Sequence, residues 1–152
     1  MEWNGKYFTF NEMIKSPTAM RLGIKNIPSE VAKENLCALV KNVLDPLREM
    51  WGAPIKVTSG YRCVKLNTAV GGSKTSQHTK GQAADICTLS DTIEDNKKLR
   101  DLLIKSGLPF DQLIDEYGCN WIHVSFSTSH NRRQMLSAKM IKGKTVYITG
   151  IK

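Results

Sequence analysis

Histidine is scarce in this chain of 152 residues, which has only three. A long apolar run and a CxxC pair are both missing. No segment approaches the ~18 consecutive apolar residues that span a bilayer, so we expect no membrane-spanning helix. The four cysteines lie 26, 24 and 32 residues apart, so no CxxC pair indicates a zinc ribbon or a redox dithiol. We therefore expect reduced thiols that pack as small apolar side chains.

An export signal is not evident either. The first ten residues contain Glu2, Asn4, Gly5 and Lys6 where a signal peptide would have an apolar run. We expect a protein that is cytoplasmic as synthesised.

Acidic residues are absent from position 131 onward, although this segment holds six basic residues. The remainder of the chain has 16 basic and 14 acidic residues, so most of the net charge of +8 belongs to the C-terminal segment. Such a charge run is usually a solvated face, and the alternative is attraction to a polyanion. Because Tyr147 is the segment's only aromatic residue, it lacks the stacking platform of a single-strand nucleic-acid binder. A nucleic-acid partner is not expected.

What is present fits one folded domain over residues 1–152, with 41% hydrophobic and 24% charged residues. Apolar residues at three- and four-residue spacings predict a long helix over 30–50, with Val31 among its buried residues and a kink or break at Pro46. A second helix is predicted over 91–106, with Ile93 facing inward.

Alternating apolar residues predict short strands at 55–58, 83–88, 112–117 and 121–126. A last hairpin is predicted around 142–144, within the basic segment. Helices gathered before and between mostly antiparallel strands predict an α+β fold.

Two of the three histidines lie in settings that suit a metal site. His78 is on a loop without apolar residues, and Asp85 is on the strand that leaves this loop. Strand alternation places His123 on the polar face of its strand, opposite Ile122 and Val124. Imidazole and carboxylate together are a typical ligand set for catalytic zinc, which takes three protein ligands.

These residues stand in a specific pattern, Ser76-x-His78-x-x-Gly81-x-Ala83-x-Asp85 followed by Trp121-x-His123. The pattern resembles the signature of the zinc D-alanyl-D-alanine carboxypeptidases and related peptidoglycan peptidases, whose fold also occurs in the signalling domain of hedgehog proteins. The segments 59–62 and 110–114 and Asn67 match as well, so the resemblance spans roughly residues 8–126.

The resemblance implies one zinc ion, with His78, Asp85 and His123 as its ligands. It implies that Arg62 polarises the scissile carbonyl and stabilises the oxyanion, since a fixed guanidinium suits that task. The alternative for Arg62 is a structural ion pair or a helix-capping partner. Ser76 and Trp121 are the expected substrate-binding residues.

The general base is where this chain departs from the family pattern, because Asn120 occupies the position at which many members carry an acid. Asp115 and Glu116 are the nearest carboxylates. A two-residue turn at Gly118-Cys119 would place Glu116 on the face of His123, whereas a three-residue loop would place Asp115 there. Hedgehog-type members carry their acid at the end of this strand, so we favour Glu116.

The expected function is hydrolysis of amide bonds in peptidoglycan stem peptides, of the D-Ala-D-Ala carboxypeptidase or endopeptidase type. The resemblance also allows a zinc-stabilised binding module that has lost catalysis. We expect a monomer of phage or prophage type, released by lysis or carried in a phage particle.

Overall fold

The computed structural model describes residues 2–151, which form six α-helices and six strands. The helices are α1 (Phe10–Ile14), α2 (Pro17–Leu22), α3 (Glu30–Leu39), α4 (Asp45–Trp51), α5 (Val64–Ala69) and α6 (Ile93–Lys105). The strands are β1 (Ile55–Ser59), β2 (Ala83–Thr88), β3 (Gln112–Glu116), β4 (Trp121–Ser125), β5 (Gln134–Ile141) and β6 (Lys144–Thr149). A π-helical turn (Val40–Leu44) joins α3 to α4, and a 3₁₀ helix (Gln77–Lys80) precedes β2.

The strands form one sheet in the order β1-β2-β4-β3-β5-β6. All neighbouring pairs are antiparallel except β3 and β5, which are parallel. The fold is therefore α+β with a mostly antiparallel sheet, and the sequence-based prediction of the fold class is confirmed.

One face of the sheet is the hydrophobic core. Ile86, Leu113, Ile122 and Val124 point to this face and are fully buried in one cluster with side chains of α3, α4 and α6. The opposite face carries the alternate residues of the same strands, because successive side chains point to opposite sides. The polar loop between α5 and β2 lies beside that second face.

The predicted long helix exists, but its middle is a π turn followed by Pro46 in the first turn of α4. Proline has no N–H to donate, so the pattern of helical hydrogen bonds changes near this residue. Here it changes without interrupting the helix. Val31 is wrongly predicted as core, since it is 66% exposed and Ala32 is the buried residue. Ile93 is likewise 49% exposed, because it is the first residue of α6 and lies beyond the sheet.

The C-terminal hairpin of β5 and β6 is longer than the sequence predicts, since it begins at Gln134. Two of the basic residues just before it have structural partners. Arg132 forms a bidentate ion pair with Asp111, and Arg133 stacks on Phe110 while donating to carbonyls of the preceding loop and α6. Part of the positive charge is therefore engaged within the fold. No helix between residues 2 and 151 is long and apolar enough to cross a bilayer.

Candidate metal centre and its cleft

Three buried side chains converge on the polar face of the sheet. Asp85 on β2 and His123 on β4 are directly opposite each other in the antiparallel register. His78 reaches them from the 3₁₀ helix, with Nε2 3.2 Å from Asp85 Oδ1, and His123 Nδ1 lies 3.1 Å from the same oxygen. One possible ligand atom from each residue lies within 4.8 Å of the others. It is the only such group of three or more found between residues 2 and 151.

The hydrogen bonds of His78 determine which nitrogen faces the centre. Its Nδ1 lies 2.7 Å from the carbonyl oxygen of Gly60, so Nδ1 carries the proton and donates it. Nε2 of a neutral ring then points a lone pair at Asp85 Oδ1. Both atoms are hydrogen-bond acceptors, so without a cation this contact is unfavourable. Burial lowers the pKa of His78, and the nearby Asp85 offsets only part of this, so the neutral ring is favoured. Such an arrangement is relieved by a cation between the two groups.

Asp85 is held as an ionised carboxylate. Burial alone would raise its pKa, but the neighbouring His78 and His123 rings outweigh burial and hold the pKa of Asp85 well below its usual range. Its outer oxygen, Oδ2, also accepts from Arg62 Nη2 at 3.3 Å. The centre is therefore an anionic group with two imidazoles, which favours a metal cation.

Arg62 is fixed by three partners. Its Nε donates to Ser59 Oγ at 3.0 Å, its Nη1 to Asn67 Oδ1 at 3.1 Å, and its Nη2 to Asp85. The structural ion pair considered for Arg62 is therefore present. Each terminal nitrogen carries two N–H groups and uses one of them here, so the guanidinium retains donors for a substrate.

Asn67 and Gly72 complete this support. The Asn67 amide donates to the carbonyl of Ser73 at 2.8 Å, so it ties α5 to the following loop while its oxygen holds Arg62. A Cβ on Gly72 would overlap Asn67 Oδ1 and would lie 3.1 Å from Arg62 Nη1. The backbone can approach this closely only because the residue is glycine.

The two adjacent acids of β3 lie on opposite faces of the sheet. The register pairs Glu116 with Trp121 and Asp115 with Ile122, as the two-residue turn predicts. Glu116 therefore shares the face of His123, and it makes no side-chain hydrogen bond within residues 2–151. Burial raises the pKa of Glu116 to about 7, against the opposing charge of His123. Asp115 lies on the core face, where it accepts from Arg100 Nη1 at 2.6 Å.

A cleft of about 800 Å³ opens over the three buried side chains. Its walls come from the loop before β2, from the polar face of β3 and β4, and from the C-terminal hairpin. The lining includes Arg62, Gly72, Ser76, Lys80, Gln112, Ile114, Glu116, Tyr117, Trp121, Arg132, Leu136 and Tyr147.

A family model described as Peptidase M15 matches residues 6–125, more than three quarters of the chain. This chain belongs to the Peptidase M15 family. The comparison with curated proteins finds no match. Membership supports a metallopeptidase, and the matched range contains all three buried residues of the centre together with Arg62 and Glu116.

The residues of this M15 centre fit zinc, the metal of the family. Two imidazoles and one carboxylate are a ligand set that catalytic zinc uses. The Nδ1–H···O=C bond to Gly60 is the kind of outer contact that fixes the tautomer of a ligating histidine. Arg62 gives Asp85 a comparable outer contact through Oδ2.

The other residues predicted for the site lie as follows. Ser76 lines the cleft, and its hydroxyl accepts from the backbone N–H of His78 at 3.2 Å, so it also shapes the 3₁₀ helix. Trp121 lines the cleft and contacts the ring of Tyr117 with centroids 5.5 Å apart. Asn120 is exposed in the turn and does not line the cleft.

Two contributions to the M15 cleft were not predicted. Asp111 accepts from Gln77 in the loop at 3.0 Å and from Arg132, so it anchors the loop that carries His78. In the sequence, only the family resemblance of the 110–114 segment pointed to Asp111. Tyr147 lines the cleft from beyond the matched range, and its being the sole aromatic residue of the basic segment was the available hint.

Proposed function

We propose that this protein is a zinc peptidase that hydrolyses amide bonds in the stem peptides of peptidoglycan. The observation that carries the proposal is the juxtaposition of a buried His-Asp-His group with Glu116, a carboxylate on the same sheet face that has no hydrogen-bond partner within residues 2–151. A buried carboxylate without such a partner costs stability, so its retention beside a metal centre favours a catalytic role.

His78, Asp85 and His123 would hold the metal. Zinc, when bound, lowers the pKa of a bound water to about 7 and polarises a carbonyl. Glu116 accepts the proton of the attacking water and returns it to the leaving amine.

Arg62 stabilises the negative charge that develops on the carbonyl oxygen, through the N–H groups that Ser59, Asn67 and Asp85 leave free. Because these three partners fix the guanidinium before the substrate arrives, little reorganisation is needed during the reaction.

The charge of the cleft suits a peptide that carries carboxylates. Lys80 is exposed at the cleft, and its ammonium group forms no ion pair within residues 2–151. Together with Arg62, it provides positive charge on the loop side of the metal centre. Stem peptides end in a carboxylate and contain acidic residues, so a carboxypeptidase acting at D-Ala-D-Ala or an endopeptidase acting at an L-Ala-D-Glu bond would both fit.

Asn120 favours a second candidate, a zinc-stabilised binding module without catalysis. Its amide cannot accept a proton from water, and it is exposed in the turn. In this alternative the raised pKa of Glu116 would only record its burial. The two candidates share the metal ligands and differ in what Glu116 does.

The test is digestion of defined muropeptides by zinc-loaded protein, with products identified by mass. We expect release of a D-amino acid or of a peptide fragment, and we expect Glu116→Ala to abolish it while retaining one zinc per chain. Wild-type protein that holds one zinc but releases no amine over a range of pH would overturn the peptidase and favour the binding module. The monomeric state, the phage- or prophage-type origin and an affinity of the basic segment for an anionic cell wall stay predictions from the sequence.

A further inference from the structure

The C-terminal hairpin brings a tyrosine into the same row of side chains as the proposed base. Glu116 on β3 is paired with Ala138 on β5, and Ala138 is paired with Tyr147 on β6. Paired residues of adjacent strands point to the same face, so Tyr147 lies on the face of Glu116 and of the metal centre.

The residue between the two is small, so a longer neighbouring side chain can lie over it. Ala138 is fully buried and has only a methyl group, whereas the next residue along β5 on the same face toward the metal ligands is Leu136. Two strand spacings separate the backbones of Glu116 and Tyr147 by roughly 10 Å. A tyrosine side chain can extend over an alanine across such a gap, and both Glu116 and Tyr147 line the one cleft.

The hairpin is held in place on this side of the sheet. The backbone N–H of Tyr117 donates to the carbonyl of Ala138 at 2.9 Å, and the Tyr117 hydroxyl is 2.6 Å from Thr145 Oγ1. Tyr117 also stacks obliquely on Trp121. The strand that carries Tyr147 is therefore attached to the turn that follows the proposed base.

The Tyr147 hydroxyl is available for a ligand. It forms no hydrogen bond within residues 2–151, and the side chain is 56% exposed. Partial burial, together with the nearby Glu116, Tyr117 and Asp85, raises the pKa of Tyr147, so the phenol stays protonated and can donate. These charges reach it because it is on the metal side of the sheet.

We propose that Tyr147 is a substrate-contacting residue, whose hydroxyl donates a hydrogen bond to a carbonyl or carboxylate oxygen of the peptide bound over the metal centre. The proposal rests on the proposed peptidase function. It assigns a binding role to a segment that lies beyond residues 6–125, the range matched by the family model. The hairpin is then a wall of the substrate cleft, and its charge is incidental to this role.

The test compares Tyr147→Phe, which removes only the hydroxyl, with Val146→Ala as a control. Val146 is the preceding residue of β6 and points to the opposite face. We expect Tyr147→Phe to lower kcat/KM on a defined muropeptide by about 10- to 100-fold. This is the effect of losing one hydrogen bond to an oxygen that is charged or becomes charged during the reaction. Zinc content and thermal stability should match the wild type, and Val146→Ala should cleave normally.

A second readout is independent of turnover. Calorimetric binding of a product stem peptide to the zinc-loaded proteins should show a Kd for Tyr147→Phe that is raised by a similar factor. If both kcat/KM and Kd stay within twofold of the wild-type values, the role of Tyr147 is overturned. If wild type binds the peptide through Tyr147 but cuts nothing, the contact stands and the peptidase proposal fails. If it neither cuts nor binds, both proposals fail.

Discussion

Asp115 and Glu116 are neighbours in the sequence, and both are acidic and buried. They differ in the face of the sheet on which they lie and in whether the carboxylate has a charged partner. Asp115 is on the core face of β3 and pairs with Arg100 of α6. Glu116 is on the cleft face and has no hydrogen-bond partner within the described chain. The same contrast separates the two faces of the whole sheet.

On the core face, polar groups are few and almost all are paired. Asp115 Oδ1 is the one fully buried side-chain oxygen or nitrogen within residues 2–151 that lacks a partner, and its other oxygen has a charged one. The Glu116 carboxylate also lacks a partner in the described chain but keeps a little exposure to solvent. On the cleft face, His78 and His123 both turn a ring nitrogen toward one oxygen of Asp85, and Nε2 of neutral His78 and that oxygen are both acceptors. Burial of an acid is thus offset by a charged partner at Asp115, whereas Glu116 has no such partner within residues 2–151.

The largest effect should come from removing one of the proposed metal ligands on the cleft face. His123→Ala leaves two ligands, and two do not hold zinc tightly, so we expect the bound metal and all hydrolysis to be lost. The matched control is His130→Ala, at an exposed histidine outside the cleft, which should retain one zinc per chain. Metal content after dialysis is the measurement. Equal zinc content in the two variants would contradict the assigned ligand set.

The next effect separates the two acids of β3. Asp115→Asn removes the buried charged partner of Arg100 and leaves it only the half-exposed Asp101, so we expect a loss of about 2 kcal/mol of unfolding free energy. Glu116→Gln removes a charge that burial penalises, so it should not lower the stability. Urea unfolding of the metal-free proteins measures both. A Glu116→Gln variant as unstable as Asp115→Asn would show that the two faces do not differ in this way.

A third prediction concerns pH and the same two faces. The folded-state pKa of Glu116, about 7, lies above the ordinary value of 4.5, so the folded state binds a proton more tightly than the unfolded state does. The stabilisation from this proton is complete below about pH 4.5 and is lost as the pH rises through 7.

Metal-free wild type should therefore lose on the order of 2–3 kcal/mol of stability relative to Glu116→Gln between pH 4.5 and 8. Urea unfolding across this range, with the difference between the two proteins taken at each pH, is the measurement. Parallel stability curves would mean that Glu116 is not buried in solution.

The smallest effect tests the support of Arg62. In Gly72→Ala the new methyl group displaces the Asn67 amide, which frees Arg62 Nη1, and we expect kcat/KM to fall about tenfold because the guanidinium is no longer fixed. Lys74→Ala is the control, since Lys74 is an exposed residue of the same loop that does not line the cleft. The zinc content of both should be unchanged. Full activity in Gly72→Ala would argue against a role for the fixed guanidinium.

Several features could be predicted from the sequence because they depend on local pattern. The alternation of β4 is enough to place His123 opposite Ile122 and Val124, and the structure confirms it. The motif that contains His78 and Asp85 marks the family, which the comparison confirms over residues 6–125. Period and motif are properties of a short stretch of chain, so the residues alone determine them.

Other features depended on contacts between distant segments. Val31 and Ile93 have apolar side chains in the right period, but they lie at the first turn of α3 and of α6, where about half or more of each residue stays exposed. The choice between Asp115 and Glu116 required the register of β3 and β4. A turn in which Tyr117 and Cys119 both adopt positive φ fixes that register, and neither residue type favours this conformation.

The sequence by itself thus determined the family, the α+β class and the three residues expected to bind metal. Only the tertiary structure decided which acid faces them, which partners hold Arg62, and that a hairpin at the end of the chain brings Tyr147 to the same cleft. The physical reason is that a strand's faces follow from a period of two, whereas neighbours across a sheet follow from register and strand order. Those are set by turns and packing far apart in the chain.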